Sequence, residues 1–423
     1  MASSATENGS WPSGEISMRI GIDFAQEHLE LEIQESDLVR VHRDAPAPAL
    51  ADPATALRAA LEKPLGFPAL RRALTPDDHV AIVLDEQLPC LAELLTAVLE
   101  HVTEAQVSPE TITILCQPSM SSLAWLDELP DVFQEVHVEI HDPTDRRRLA
   151  YLATTRQGRR LYLNRTAVDA DQLIVLSRRR FDPLLGYTGS EGVLFPGFSD
   201  DATRKEMLGR LSLAVPGPKP WPVRREAEEV AWLLGAPFMI QVIEGEGDSL
   251  AHVICGLAET GSEGLRLLNA RRRIQVDRLA DTVIVSLTGD PRRHTFADMA
   301  EALACASRVV KPQGRIVLLS RAEPALGAGA ESLREANDPA QALKQLRDSL
   351  PADMAAAFQW ASAAERASLY LLSGLPMATA EGLFATPLEH AGQVQRLVSS
   401  GKSCLCIADA HKTMAVAEQA DVV

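Results

Sequence analysis

Short apolar runs alternate with amphipathic stretches along most of this chain. "SMRIGIDF" and "HLELEIQ" read as two strands joined by a tight turn. "LADPATALRAALEKPL" has helical spacing, and Asp52-Pro53 supplies an N-cap and a first-turn proline. "DDHVAIVLDE" predicts a buried strand, "LAELLTAVLEHVTEA" a helix and "TITILCQP" another strand; "HVEIHDP" and "DQLIVLS" continue the pattern at longer intervals. Strands that alternate with helices predict parallel β-α-β units. After about residue 211 the Pro-rich "LAVPGPKPWPVRRE" breaks the pattern, and "EEVAWLLG" and "PFMIQVIEGEGDSLAHVICG" predict a helix and a strand pair. A second α/β set starts near residue 281 with "DTVIVSLTG", "TFADMAEALACASRVV" and "GRIVLLSR". A helical stretch over about 338–368 follows, and "ASLYLLSGL", a helix and "SCLCIADA" close the chain.

This order predicts an α/β fold of two domains, with largely parallel sheets and a cleft between them. Residues 1–16, "MASSATENGSWPSGEI", read as a disordered leader, 17–275 as the first domain and 276–423 as the second. The boundary falls in "ARRRIQVDRLAD", and the last segment either stays with the second domain or returns to the first. There is no internal repeat.

Composition narrows the function. The 423 residues carry a net charge of −17, from 41 basic against 58 acidic side chains. That balance argues against general nucleic-acid binding, which needs a cationic surface. No apolar run approaches the roughly 20 residues that span a bilayer, and the N-terminus has no signal-peptide core, so the expected location is cytoplasmic and away from membranes. Nothing in the pattern sets an oligomeric state. Of six scattered cysteines only Cys404 and Cys406 are close. Two apart on a strand, they share a face. With no second ligand pair at zinc-site spacing, they read as reduced thiols.

The stretch "GYTGSEGVLFPGFSDD", residues 186–201, follows the apolar run "DQLIVLS". A strand that ends in a glycine-rich loop is a place for a backbone-lined ligand site. Gly186, Gly189, Gly192 and Gly197 therefore have two compatible readings: a turn that passes close to another segment, or a cradle of N–H groups for a phosphate or carboxylate. Thr188 belongs to the same loop. Arg178, Arg179 and Arg180 stand at the strand's C-terminal end, where ligands gather in open α/β sheets. They read either as a clamp on an anion or as partners of the acidic surface. Asp85 ends a buried strand and reads as a cap for the helix that starts near Leu91. Trp360 has helical spacing and reads as packing or as a stacking surface. His294 and His411 follow strands of the second half and can reach the cleft.

The order of these elements and several short motifs resemble the nickel-pincer lactate racemase family. The resemblance covers nearly the whole chain after the leader. It rests on "ADPATALRAALEKPLGFPAL", "HVAIVLDEQLPC", "ADQLIVLS" with the glycine loop, "DPAQALKQL" and "FQWASA". It implies a nicotinate-derived nucleotide that grips nickel, held covalently by a lysine of the glycine loop, with a histidine ligand to the metal. Two further histidines would exchange the substrate hydroxyl proton while hydride moves to the cofactor ring.

Residue by residue, this chain departs from that pattern. The lysine position falls on Gly192, the nickel-ligand histidine on Leu208, and the two acid/base histidines on Ser121 and Asp182. The motif arginine falls on Leu88, and a lysine of the second domain on Glu301. What remains is Asp85, Pro89, Gly186, Gly189, Pro196, Gly197 and Trp360, and the resemblance implies a place in the cofactor pocket for Asp85 as the alternative to a helix cap. No histidine occurs between His141 and His252. The resemblance thus implies a lactate racemase-like fold with its nickel-pincer site dismantled. No cofactor and no metal are expected. The expected function is binding of a small anionic ligand, a hydroxy acid or sugar acid, without racemising it. The alternatives are an active 2-hydroxy-acid racemase or epimerase that holds the nucleotide without a covalent bond, and a regulatory partner of an active homologue.

Overall fold

The computed structural model describes residues 17–43, 48–85, 87–118, 123–217 and 219–418; the leader and Ser121 lie outside them. Its framework is two α/β sheets, formed in sequence order. The first has six strands, ordered Leu250–Gly256, Phe238–Glu244, Gln172–Arg178, Val80–Leu84, Ile112–Cys116 and His137–Ile140. All pair in parallel except Leu250–Gly256, which turns back antiparallel at the edge. Val80–Leu84 is buried at every position because both faces of the sheet are covered. Helices Pro53–Glu62 and Leu91–Thr103 pack on one face. On the other, Val193, Leu194 and Phe198 of the glycine-rich loop pack on Val83 and Val175. Asp52 caps the first of those helices by accepting the Thr55 N–H at 2.8 Å.

The second sheet has five parallel strands, ordered Ala385–Pro387, Ser368–Leu372, Val310–Leu319, Ala280–Ser286 and Cys404–Ala408. The helical stretch over 338–368 is two helices, Pro339–Ser349 and Met354–Arg366. Leu350 turns left-handed between them, with φ 46°, and Pro351 follows. Cys404 and Cys406 are free thiols and pack in the apolar layer on one face of this sheet.

The chain does not divide in space quite where it divides in sequence. The hairpin Ser17–Phe24/Glu27–Gln34 packs Ile22, Phe24, Leu29, Leu31 and Ile33 on the second sheet, against Ile284, Val317 and Leu319. That face needs a cover, because helices Phe296–Ser307 and Met354–Arg366 lie in the core on the opposite side. Three short strands then tie the halves together. Arg273–Val276 pairs with Val41–His42 and with the last described strand, Met414–Ala417. No helix among the described residues is long and apolar enough to cross a membrane.

Candidate functional site

The C-terminal strand ends of both sheets meet in one polar region. From the first sheet come Asp85, just after Val80–Leu84, and Arg178 and Glu244, the last residues of their strands. From the second come Thr288, after Ala280–Ser286, and Asp409, after Cys404–Ala408. Helix Phe296–Ser307 opens beside them with a Thr295/Asp298 capping box and carries Glu301 one turn on.

Each cation here already has a carboxylate. Arg178 Nε donates to Asp85 Oδ2 at 3.0 Å, its backbone N–H reaches the same oxygen at 3.2 Å, and Nη2 donates to Gln87 Oε1 at 3.2 Å. Glu244 lies 3.8 Å from the same guanidinium. Burial raises the Asp85 carboxyl, but Arg178 and Arg180 outweigh it and hold it below the ordinary carboxylate range. Arg180 faces Glu301 of the second half at 3.5 Å. Lys412 pairs with Glu244 at 3.3 Å, and Arg272 with Asp409 at 3.8 Å. Asp409 also accepts the Thr288 hydroxyl at 2.6 Å and the Gly247 N–H at 3.1 Å, which joins the halves again.

Two groups differ from their usual ionisation. Burial pushes the Glu301 carboxyl up to about 7, against the pull of Arg180. Burial, then Lys412, lowers His411 to about 4, so its ring is neutral near pH 7. His411 lies edge-on to His294, ring centres 5.6 Å apart, and His294 Nε2 lies 3.1 Å from the Thr288 carbonyl. Both histidines therefore stand in the polar region, as their positions after strands suggest.

The arginine triplet does not converge. Residues 178 and 180 face this region, and Arg179 between them points to the other side of the strand, as alternation requires. There Arg179 Nη1 lies 3.4 Å from Glu191 and Nη2 donates to the Gly261 carbonyl at 2.9 Å. A single clamp from Arg178, Arg179 and Arg180 is therefore corrected to separate ion pairs.

The glycine loop is a small hairpin, Arg180–Asp182 against Gly186–Thr188, followed by the short helix Ser190–Leu194. Gly186 has φ 75° and lies against Pro216 and Trp221, so it needs the left-handed region that glycine enters freely. Gly189 passes over the Arg179 side chain. At Gly192 a Cβ would meet Thr188 Oγ1 closer than real Cβ contacts come. These three glycines thus pass close to other segments. Asp182 Oδ1 accepts the N–H groups of Leu184 and Leu185 at 2.8 and 2.7 Å and shapes the turn.

The remaining candidate residues take packing, capping and backbone roles in the fold. Trp360 is wholly buried; its ring stacks on Phe296 at 4.9 Å and Nε1 donates to the Leu383 carbonyl at 2.7 Å. It is a core residue and offers no stacking surface. Asp85 does not cap helix Leu91–Thr103, whose N-cap is Cys90. Leu88 is buried, and its carbonyl accepts from Arg293 at 3.2 Å. Leu208 ends helix Asp201–Leu208. Glu62, His101 and Glu104 are close enough to hold a cation, but Arg71 already pairs with Glu62 at 2.6 Å and its N–H donates to His101 Nε2 at 3.2 Å. Sequence reasoning missed Glu244, Asp298, Asp409 and Lys412 as members of the polar region. Glu244 and Asp409 had a usable signal: each is the first charged residue at the end of an apolar strand.

Residues 24–207 match the family model of the lactate racemase N-terminal domain. The fold is shared with the lactate racemase apoprotein from Thermoanaerobacterium thermosaccharolyticum, with TM-score 0.76 at 15% identity over 94% of this chain and 100% of that one. A protein from Thermotoga maritima gives TM-score 0.63 at 12% identity, over 87% of this chain and 99% of that one. No curated protein matches the chain in sequence.

Proposed function

Residues 24–207 place this chain in the lactate racemase-like family, and on that premise we propose that it is a cytoplasmic, non-racemising member whose cleft takes a small anion, a hydroxy acid or sugar acid. The observation that carries the first half is at Gly192. The resemblance implies a lysine there, yet the Thr188 side chain stands where any side chain on residue 192 would begin. Leu208, at the implied nickel-ligand position, has no electron pair to donate. The residues present do not fit a covalently held nickel-pincer nucleotide. Six free cysteines among the described residues fit a reducing compartment.

Arg180 supports the anion. Its contact with Glu301, at 3.5 Å, has no hydrogen-bond geometry, and Arg180 remains about a quarter exposed. A ligand carboxylate can replace Glu301 on the guanidinium while Glu301 takes a proton, which its raised pKa of about 7 makes easy. Sulfate, phosphate and small 2-hydroxy acids should therefore raise the melting temperature, and more so below pH 7. Ligand at about 100 times its dissociation constant adds roughly 2.7 kcal/mol. The effect should vanish in Arg180→Ala and persist in Arg147→Ala, an exposed arginine of another triplet. Equal loss in both variants would reduce it to charge screening and overturn the cleft assignment.

A further inference from the structure

The side of the strand to which Arg179 turns carries a second hollow. Tyr187 and Glu191 of the glycine loop, helix Pro222–Leu233 and helix Glu259–Arg272 enclose a cavity of about 460 Å³. Its size is that of a small-ligand pocket, about 300–1,000 Å³. Its lining residues lie between Tyr187 and Leu265 and include none of the polar region between the sheets, so the cavity is separate from that region. Its wall is mostly apolar, with Trp232, Pro237, Met239 and Leu265. Trp232 is 72% exposed, an unusual position for an indole, and stands at the mouth.

The polar end of the cavity pairs its charges loosely. Two buried guanidiniums, Arg179 and Arg224, share one buried carboxylate, Glu191, at 3.4 and 3.9 Å. The fourth charge, Glu228, is 44% exposed and reaches Arg224 Nε from the rim at 2.9 Å. Arg224 Nη1 donates to the Tyr187 carbonyl at 2.6 Å, but Nη2 has its paired carboxylate oxygen only at 3.9 Å, beyond hydrogen-bond range. Behind them, Arg179 Nε and both amide atoms of the buried Gln241 have no partner. Arg224 thus makes its one carboxylate hydrogen bond to a partly exposed glutamate at the rim, where an incoming carboxylate can take that place, and a guanidinium suits one by its planar fork.

We propose that this cavity binds a planar apolar monocarboxylate, its ring system against Trp232, Met239 and Leu265 and its carboxylate on Arg224 in place of Glu228. The site is independent of the anion reading for the cleft. The test is isothermal titration of the full chain with 1-naphthoate and with 1-naphthylmethylamine, which present the same rings with opposite charge. Naphthoate should bind once per chain and at least tenfold more tightly than the amine. Leu265→Trp, which fills the cavity, should weaken binding tenfold or more. Trp232→Ala, at an exposed position that leaves folding intact, should weaken it at least threefold. Arg180→Ala should leave it unchanged, which separates this site from the cleft. The proposal is overturned if naphthoate does not bind, if the amine binds equally well, or if folded Trp232→Ala binds as the wild type does.

Discussion

Arg180 Nη1, just past the end of a first-sheet strand, lies 3.5 Å from Glu301 Oε1 on helix Phe296–Ser307 of the second half. One ion pair thus links the two halves where the family resemblance implies a lysine at 301. It belongs to a set, with Arg178–Asp85, Lys412–Glu244 and Arg272–Asp409, in which the protein's own carboxylates hold the cations at the strand ends.

The first prediction follows from Glu301. Burial raises its carboxyl from an ordinary 4.5 to about 7. A carboxyl raised on folding contributes stability that is complete below its unfolded value and is lost as pH rises through the folded one. At about 1.4 kcal/mol per pKa unit the loss is about 3 kcal/mol. His411, lowered from 6.5 to about 4 by burial and then Lys412, works in the opposite sense. Its contribution is present above 6.5 and lost as pH falls toward 4. Urea denaturation of wild type and Glu301→Gln between pH 5 and 8 separates the two. The wild type should lose about 2–3 kcal/mol relative to the variant toward high pH. A flat difference curve would show that Glu301 titrates normally.

Arg178 and Asp85 should behave as one unit. Removing one member of a buried ion pair leaves the other charge uncompensated, at about 3–5 kcal/mol. Arg178→Met and Asp85→Asn should each cost that order, and the double variant distinctly less than the sum. Additive losses in the double-mutant cycle would mean that the 3.0 Å contact carries no coupling.

Gly192 should be intolerant for a steric reason alone, since its φ is not in the left-handed region. Gly192→Ala should cost about 1–3 kcal/mol, the usual range for overpacking. Thr188→Ala should recover most of that in the double variant, because it removes the atom that the new Cβ meets. Thermal melts of the three variants decide it; Gly192→Ala as stable as wild type would show that the loop yields freely.

Catalysis should be absent by the family route. The chain co-expressed with the cofactor-making enzymes should keep its unmodified mass and bind no stoichiometric nickel. A chiral assay should detect no interconversion of D- and L-lactate. Installing histidine at Ser121 and Asp182 should not create it, because general acid–base groups contribute about 10²–10⁴-fold and hydride still lacks an acceptor. Turnover above a boiled control, in a preparation free of host racemase, would favour the active-enzyme alternative.

The sequence by itself determined the elements and their order. Strands such as Val80–Leu84 and the centre of Gln172–Arg178 are legible because a strand buried on both faces is an apolar run, and Asp52-Pro53 marks a helix start by local hydrogen bonding. Local patterning does not carry partners. Only the tertiary structure decided that the hairpin over 17–34 covers the second sheet, since its alternating apolar face would fit any open sheet. Three adjacent arginines read alike in sequence. Strand alternation gave Arg178 to Asp85 at the next strand's end, Arg179 to Glu191 on the short helix that follows, and Arg180 to Glu301 on a distant helix. Trp360 has the same helical spacing whether it faces a ligand or Phe296, and packing settled it for the core. Ion pairs join residues far apart in the chain, and their partners are set by where two sheets present their strand ends to each other.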